Sequence, residues 1–181
     1  MENEDRFDVF SKLINSRVLF INDFIDDKSA VDIVAALMCL DKHNHDKITI
    51  FINSDGGDIR NIFMIYDIIK SLSSPIETFC IGTAMGESVL LLAAGTKGSR
   101  IISKNSDIGV SQIAHNGIGY YDLTNAKISH EKNKKDNEVF LKELSKCTGK
   151  SLKIIKSDTQ RQLFLTPQEA VKYGIVDKVA Q

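Results

Sequence analysis

Residues 76–95, IETFCIGTAMGESVLLLAAG, join two apolar runs through a turn built of small residues. IETFCI has the length and composition of a strand, and SVLLLAAG those of a buried helix. Between them residues 82–88, GTAMGES, form an elbow that lets the backbone approach another group closely. The same plan occurs upstream. Residues 47–52, KITIFI, predict a buried strand because the run is short, β-branched and followed at once by the turn NSDGGD. The helix after it carries Ile62, Phe63, Tyr66 and Ile69 on one face and ends in SLSS before Pro75. Further upstream, KSAVDIVAALMCLDKHNHD predicts a helix capped by Ser29, with Val31, Ile33, Val34, Leu37 and Leu40 at helical spacing. Short strands are expected at RIIS and IGVSQ. Strand, tight turn, helix and strand again predict an α/β fold of stacked crossover units.

The second half adds two helices of different character. Residues 122–146, DLTNAKISHEKNKKDNEVFLKELSK, have helical composition but a poor apolar stripe over their first two thirds. Such a helix projects from the body or packs on another chain. TPQEAVKYG has its ends written in: Thr166 as N-cap, Pro167 at the first position, Glu169 closing a capping box and Gly174 stopping it. IVDKV is expected as a final strand. No long repeat, linker or low-complexity tract divides the 181 residues, so a single domain over 1–181 is expected.

The formal charge of −1 leaves no electrostatic footprint for nucleic acid or an anionic membrane. No apolar run approaches the roughly 18 residues of a membrane span. Acidic residues in the opening MENEDRFDVF stand where a secretory signal carries basic ones, so a cytoplasmic location is expected, or an organellar one after loss of a transit segment. Cys39, Cys80 and Cys147 are odd in number and lack CxxC spacing, which points to reduced thiols. Cys39, His43 and His45 fall near one helix end but lack a fourth ligand; no metal and no cofactor is expected. Neither a P-loop nor a dinucleotide fingerprint surrounds the glycines of SDGGD. A turn beside a peptide-binding strand edge is the better reading there.

In order and nearly without gaps, FDVFSKLINSRVLFIND, ITIFINSDGGDI, IYDIIKSLSSPIETFCIGTAMGESVLLLAAGTKGSR, NSDIGVSQ, TGKSL and DTQRQLFLTPQEAVKYGIVDKV resemble the proteolytic subunit of the Clp protease. The resemblance runs from about residue 7 to 180. It implies a crotonase-like α/β superhelix with residues 122–147 as its projecting handle helix. It also implies subunits in seven-membered rings, stacked in pairs around a proteolytic chamber, that act as serine peptidases on unfolded chains delivered by a ring ATPase.

Carried over position by position, the resemblance places the nucleophile on Gly86, within CIGTAMGESVLLLAAG, the base on Ser111, within NSDIGVSQI, and the third triad member on Gln162, within DTQRQ. A triad needs an alkoxide precursor, a base of near-neutral pKa and an anion that orients the imidazolium. Glycine brings no oxygen, serine no useful base and glutamine no charge. The chain therefore resembles the family's non-catalytic, ClpR-type subunits. Ser88 is two residues late, about 200° round the helix start from the elbow position. His115, in the loop AHNGIGYY, reads as a solvated histidine rather than a displaced base. Backbone donors of an oxyanion hole fall on Gly56, Gly57 and Glu87, but the carboxylates of Glu87, Asp55 and Asp58 would place negative charge where an oxyanion must form.

Features of assembly also depart from the family. Only residues 1–6 precede the first helix expected from it, where an apolar axial segment is usual. Thr49 and Ser71 fall on two aromatic positions of the pocket that receives the ATPase's loops, while Phe51 stays aromatic, so weak docking or none is expected. The handle is more polar than the family's, which loosens a pair of rings made of this chain alone. Gln112 and Arg161 match ring-contact residues, although Gln162 removes the carboxylate beside Arg161. The expectation is a non-catalytic subunit, in homo- or hetero-oligomeric rings with active Clp-type subunits, with a structural or regulatory part in ATP-dependent proteolysis. The alternatives are a crotonase-type acyl-binding protein or enzyme with other catalytic residues, and a peptide-binding adaptor that holds unfolded peptide uncut.

Overall fold

The computed structural model describes residues 3–113 and 122–180. Its elements run α1 (Asn3–Asn15), β1 (Val18–Ile25), α2 (Asp27–His43), β2 (Ile48–Gly57), α3 (Ile59–Ser71), β3 (Ile76–Met85) and α4 (Ser88–Ala93). The second half continues as β4 (Arg100–Ile102), β5 (Asp107–Val110), α5 (Leu123–Thr148), α6 (Leu152–Asp158), β6 (Leu163–Leu165), α7 (Pro167–Tyr173) and β7 (Lys178–Val179). The sheet is parallel in the order β1-β2-β3-β4-β7; β5 also pairs in parallel with the far end of β3, and β6 joins β5 antiparallel. The arrangement is mixed α/β, a seven-stranded sheet with helices packed against it.

The core follows from strand alternation. Leu19, Ile21, Ile48, Ile50, Ile52, Ile76 and Cys80 point to one face and are buried under α2, α3 and α4. In α3, Ile62, Tyr66 and Ile69 are buried and Phe63 is half-buried, as its apolar face predicts. Only the last third of α5 enters this core, through Phe140, Leu141 and Leu144, and most of the earlier turns are exposed. The weak stripe of the sequence thus becomes a projecting helix. Among the described residues no helix is long and apolar enough to cross a membrane.

Several local expectations are corrected. Residues 3–6 lie inside α1, not in a tail, and β1, α6 and β6 were not anticipated. The cap of α2 is Asp26; Ser29 is its capping-box partner three residues on, with Ser29 N–H donating to Asp26 Oδ1 at 2.8 Å. Val31 is exposed, because α2 turns it away from the sheet. NSDGG is not a turn: β2 continues through Gly57, held extended by Ile25 on one side, and Ser54 pairs with Ala84 on the other. Likewise β3 runs on through GTAM to Met85. The final strand shrinks to two residues. By contrast α7 has the cap at Thr166, the box with Glu169 and the left-handed stop at Gly174, φ +92°, that its sequence predicts.

Arg100 ties the late elements to the early ones. It is 4% exposed, and its guanidinium grips Asp177 while donating to the carbonyl oxygens of Cys147 at 3.0 Å and Gly174 at 2.9 Å. One side chain thereby fixes the C-terminal ends of α5 and α7 against β4.

Candidate functional site

The site lies where β3 ends and β5 and β6 meet it. Met85 pairs with Gly109, and the N–H of Gly86, one residue on, donates to the Gly109 carbonyl at 2.8 Å. Gly86 has φ +55°, a left-handed conformation that glycine adopts without steric cost. Among the described residues, a Cβ added there would come nearest to Asp55 O, at 3.7 Å, an ordinary van der Waals contact. Antiparallel pairing of β5 and β6 ends at Val110 and Leu163, and one step farther stand Ser111 and Gln162. The Gln162 amide nitrogen is 3.3 Å from the place of a Cβ on Gly109. Gly86, Ser111 and Gln162, separated by 25 and 51 residues in the chain, therefore converge at one end of the sheet.

The opposite wall comes from the end of β2. Gly56 has φ +113°, and its N–H donates to Ser54 Oγ at 3.2 Å. Gly57 packs so closely on β1 that an added Cβ would stand 2.5 Å from Ile25 O. Because the obstacle is backbone, Gly57→Ala must push β1 and β2 apart. A loss of about 1–3 kcal/mol is expected, read as a drop of roughly 2–12 °C in melting temperature; an unchanged melting curve would refute the close approach.

Glu87, at the start of α4, is only 6% exposed. Its carboxylate makes no capping hydrogen bond, and Oε2 lies over Gly56, 2.7 Å from the place of a Cβ there. Asp58 corrects the sequence reading: it caps α3 through Arg60 N–H and its carboxylate pairs with the Arg60 guanidinium at 2.8 Å, so its charge is neutralised locally. Asp55 is exposed and presents its carbonyl to Gly86.

Replacement nucleophiles can be judged from their surroundings. Ser88 is fully buried, and its hydroxyl donates to Ser54 O at 3.0 Å and Met85 O at 2.8 Å, which pins the start of α4 to β2. Burial pushes the Cys80 thiol up to about 11, and burial also raises Cys147, so neither is a ready thiolate. His115 lies outside the described residues. Among the described residues no three His, Cys, Asp or Glu side chains are grouped to hold a metal; Cys39 is exposed on α2, and His45 faces Asp41 at 3.4 Å.

Gln112 is exposed and its N–H donates to Thr159 O at 3.2 Å; Arg161 is exposed beside Gln162. Ser71 is the last residue of α3, and its hydroxyl donates to Ile68 O at 2.9 Å. Thr49 donates to Glu77 Oε1 at 3.2 Å. Phe51 is not alone: Phe20, Phe51 and Phe79 are register partners on β1, β2 and β3, stacked with ring centroids 5.2 Å apart at each step, and Phe10 of α1 meets Phe20 edge-on at 6.1 Å. This ladder was missed in the sequence, where the three strand phenylalanines lie about thirty residues apart. Period-two alternation in RVLFIND, ITIFI and IETFCI was the signal available, but it becomes a ladder only once the registers are known.

A family model described as Clp protease matches residues 1–181, the whole chain.

Proposed function

The chain belongs to the Clp protease family, and from that premise we propose that it is a non-catalytic subunit acting through assembly. Its role lies in Clp-type proteolysis, and members of the family form oligomeric rings. The observation that carries the finer reading is the convergence of Gly86, Ser111 and Gln162 at one sheet end. A nucleophile, a base and an orienting anion would have to come from these positions, and none of the three side chains supplies one. The chain then takes places in a seven-membered ring with active paralogues and tunes the stability, docking or activity of that ring.

Two surfaces fit this role. The first two thirds of α5 project and are polar, a poor partner for their own copy. The aromatic ladder of Phe20, Phe51 and Phe79 offers an apolar seat for a docking loop, weakened at Thr49 where the hydroxyl is tied to Glu77. Docking of a ring ATPase on this subunit is therefore reduced rather than abolished.

Native mass measurement tests the proposal. The protein mixed with an active Clp-type subunit from the same source is expected to give rings in which one or more active chains are exchanged for this 20.1 kDa chain. Exclusion of the chain from every ring, under conditions where the active subunit assembles, would sink the reading.

A further inference from the structure

We propose that Glu87 closes the cleft: its side chain fills the place where the carbonyl oxygen of an extended peptide would be received, so this subunit excludes peptide as well as failing to cut it. The inference rests on the non-catalytic reading of the same cleft and adds a specificity-determining residue to it. Three observations carry it. The cleft is bounded by the Gly56–Gly57 end of β2 and by the start of α4, and an acyl oxygen held there must come within about 2.7–3.1 Å of backbone N–H groups on those elements. Glu87 Oε2 already lies against Gly56, 2.7 Å from the place of a Cβ, in a side chain only 6% exposed. The Gly56 N–H, one of the donors at this end of β2, is directed to Ser54 Oγ.

The physical consequence is twofold. A carbonyl oxygen entering the cleft meets occupied volume, and it also meets a carboxylate oxygen, an acceptor facing an acceptor. Two acceptors brought together out of water repel, and neither gains the donor it leaves behind in solvent. Gly86, meanwhile, adds no side chain beside the blocked place. Removing the Glu87 side chain would therefore free the volume over Gly56 and take away the acceptor that a peptide carbonyl oxygen would meet there.

The test uses the full chain and a fluorescein-labelled unstructured peptide rich in Leu and Ala, with affinity read by polarisation and location by hydrogen exchange. Glu87→Ala is expected to bind the peptide at least about tenfold more tightly than the native protein, with new protection confined to residues 54–57 and 85–89. Glu87→Gln keeps the volume and removes the charge, and about a threefold gain is expected. The inference is overturned if Glu87→Ala, with an unchanged melting temperature, binds no tighter, or binds tighter without protection at those residues. Should Glu87→Ala fail to fold, Glu87→Gln decides, and no gain in affinity overturns the inference. Cleavage of the peptide by the native protein would overturn the non-catalytic reading too; unchanged affinity without cleavage overturns only the role of Glu87.

Discussion

Purified protein incubated with a fluorogenic peptide is expected to release fluorophore about 10⁶-fold more slowly than a ring with an intact triad, and to resist labelling by a serine-directed fluorophosphonate. The magnitude is that of removing the whole triad from a comparable hydrolase, where the remaining rate comes from oxyanion stabilisation and binding. Here even that remainder is reduced, because the Gly56 N–H is engaged by Ser54 and Glu87 places a carboxylate over Gly56. Ser88 cannot substitute, since its hydroxyl is buried and bonded to two carbonyl oxygens. Gly86→Ser alone is expected to fold, with no described residue nearer the new Cβ than Asp55 O at 3.7 Å, at a cost of about 1–2 kcal/mol for a non-glycine residue at φ +55°. It is expected to stay silent. Ser111 and Gln162 supply neither a base for the new hydroxyl nor an anion behind that base. Turnover by the native chain or by this single variant, mapped to this subunit in mass analysis of the labelled protein, would refute the non-catalytic reading.

Asp177→Asn is expected to cost about 3–5 kcal/mol, the penalty of leaving a buried guanidinium without its carboxylate. That is roughly 6–20 °C in melting temperature for a chain of this size. Arg100 is 4% exposed, and Asp177 also accepts the N–H groups of Gly98 at 2.7 Å and Arg100 at 3.0 Å, so one substitution loosens β4, β7 and the ends of α5 and α7 together. The side-chain hydrogen bond from Arg100 holds the Asp177 carboxyl down at about 2, from an ordinary 3.8. A depressed folded-state pKa stabilises the protein above the unfolded value and ceases to do so as pH falls through the folded one. The native protein should therefore lose about 2 kcal/mol between roughly pH 5 and pH 2 through this group, whereas Asp177→Asn should lack that component. Urea midpoints for both proteins at pH 7, 4 and 2.5 would measure it. A constant difference between them across that range would show that Asp177 is not the coupled group.

Legibility in the sequence followed the range of the interactions. The caps of α7 were readable because Thr166, Glu169 and Gly174 act within one turn of the helix they bound. In α2 the same chemistry is ambiguous by one partner: Ser29 has the residue type of a cap, yet it is the residue that answers Asp26. Both residue types cap, and the choice between them depends on where the preceding strand ends. NSDGG and GTAM carry turn composition, yet both continue strands: Ser54 pairs with Ala84, Gly57 with Ile25 and Met85 with Gly109, while Gly56 and Gly82 take positive φ where the β1–β2 and β2–β3 registers shift. Local propensity yields there to pairing. Short elements such as β6 have too few residues to leave a periodic signal and exist because β5 lies beside them.

By itself the sequence determined the alternation of strand and helix, the family resemblance and the residue types at the elbow, because each depends on composition or on spacing along the chain. Gly86, Ser111 and Gln162 carry no triad chemistry whatever surrounds them. The tertiary structure alone decided that these positions share one end of the sheet, that Phe20, Phe51 and Phe79 form a continuous aromatic face, and that the Glu87 carboxylate rests on Gly56. Each is a contact between segments tens of residues apart, set by strand register, and a register shift of one residue in β2 would turn Phe51 to the other face and break the ladder.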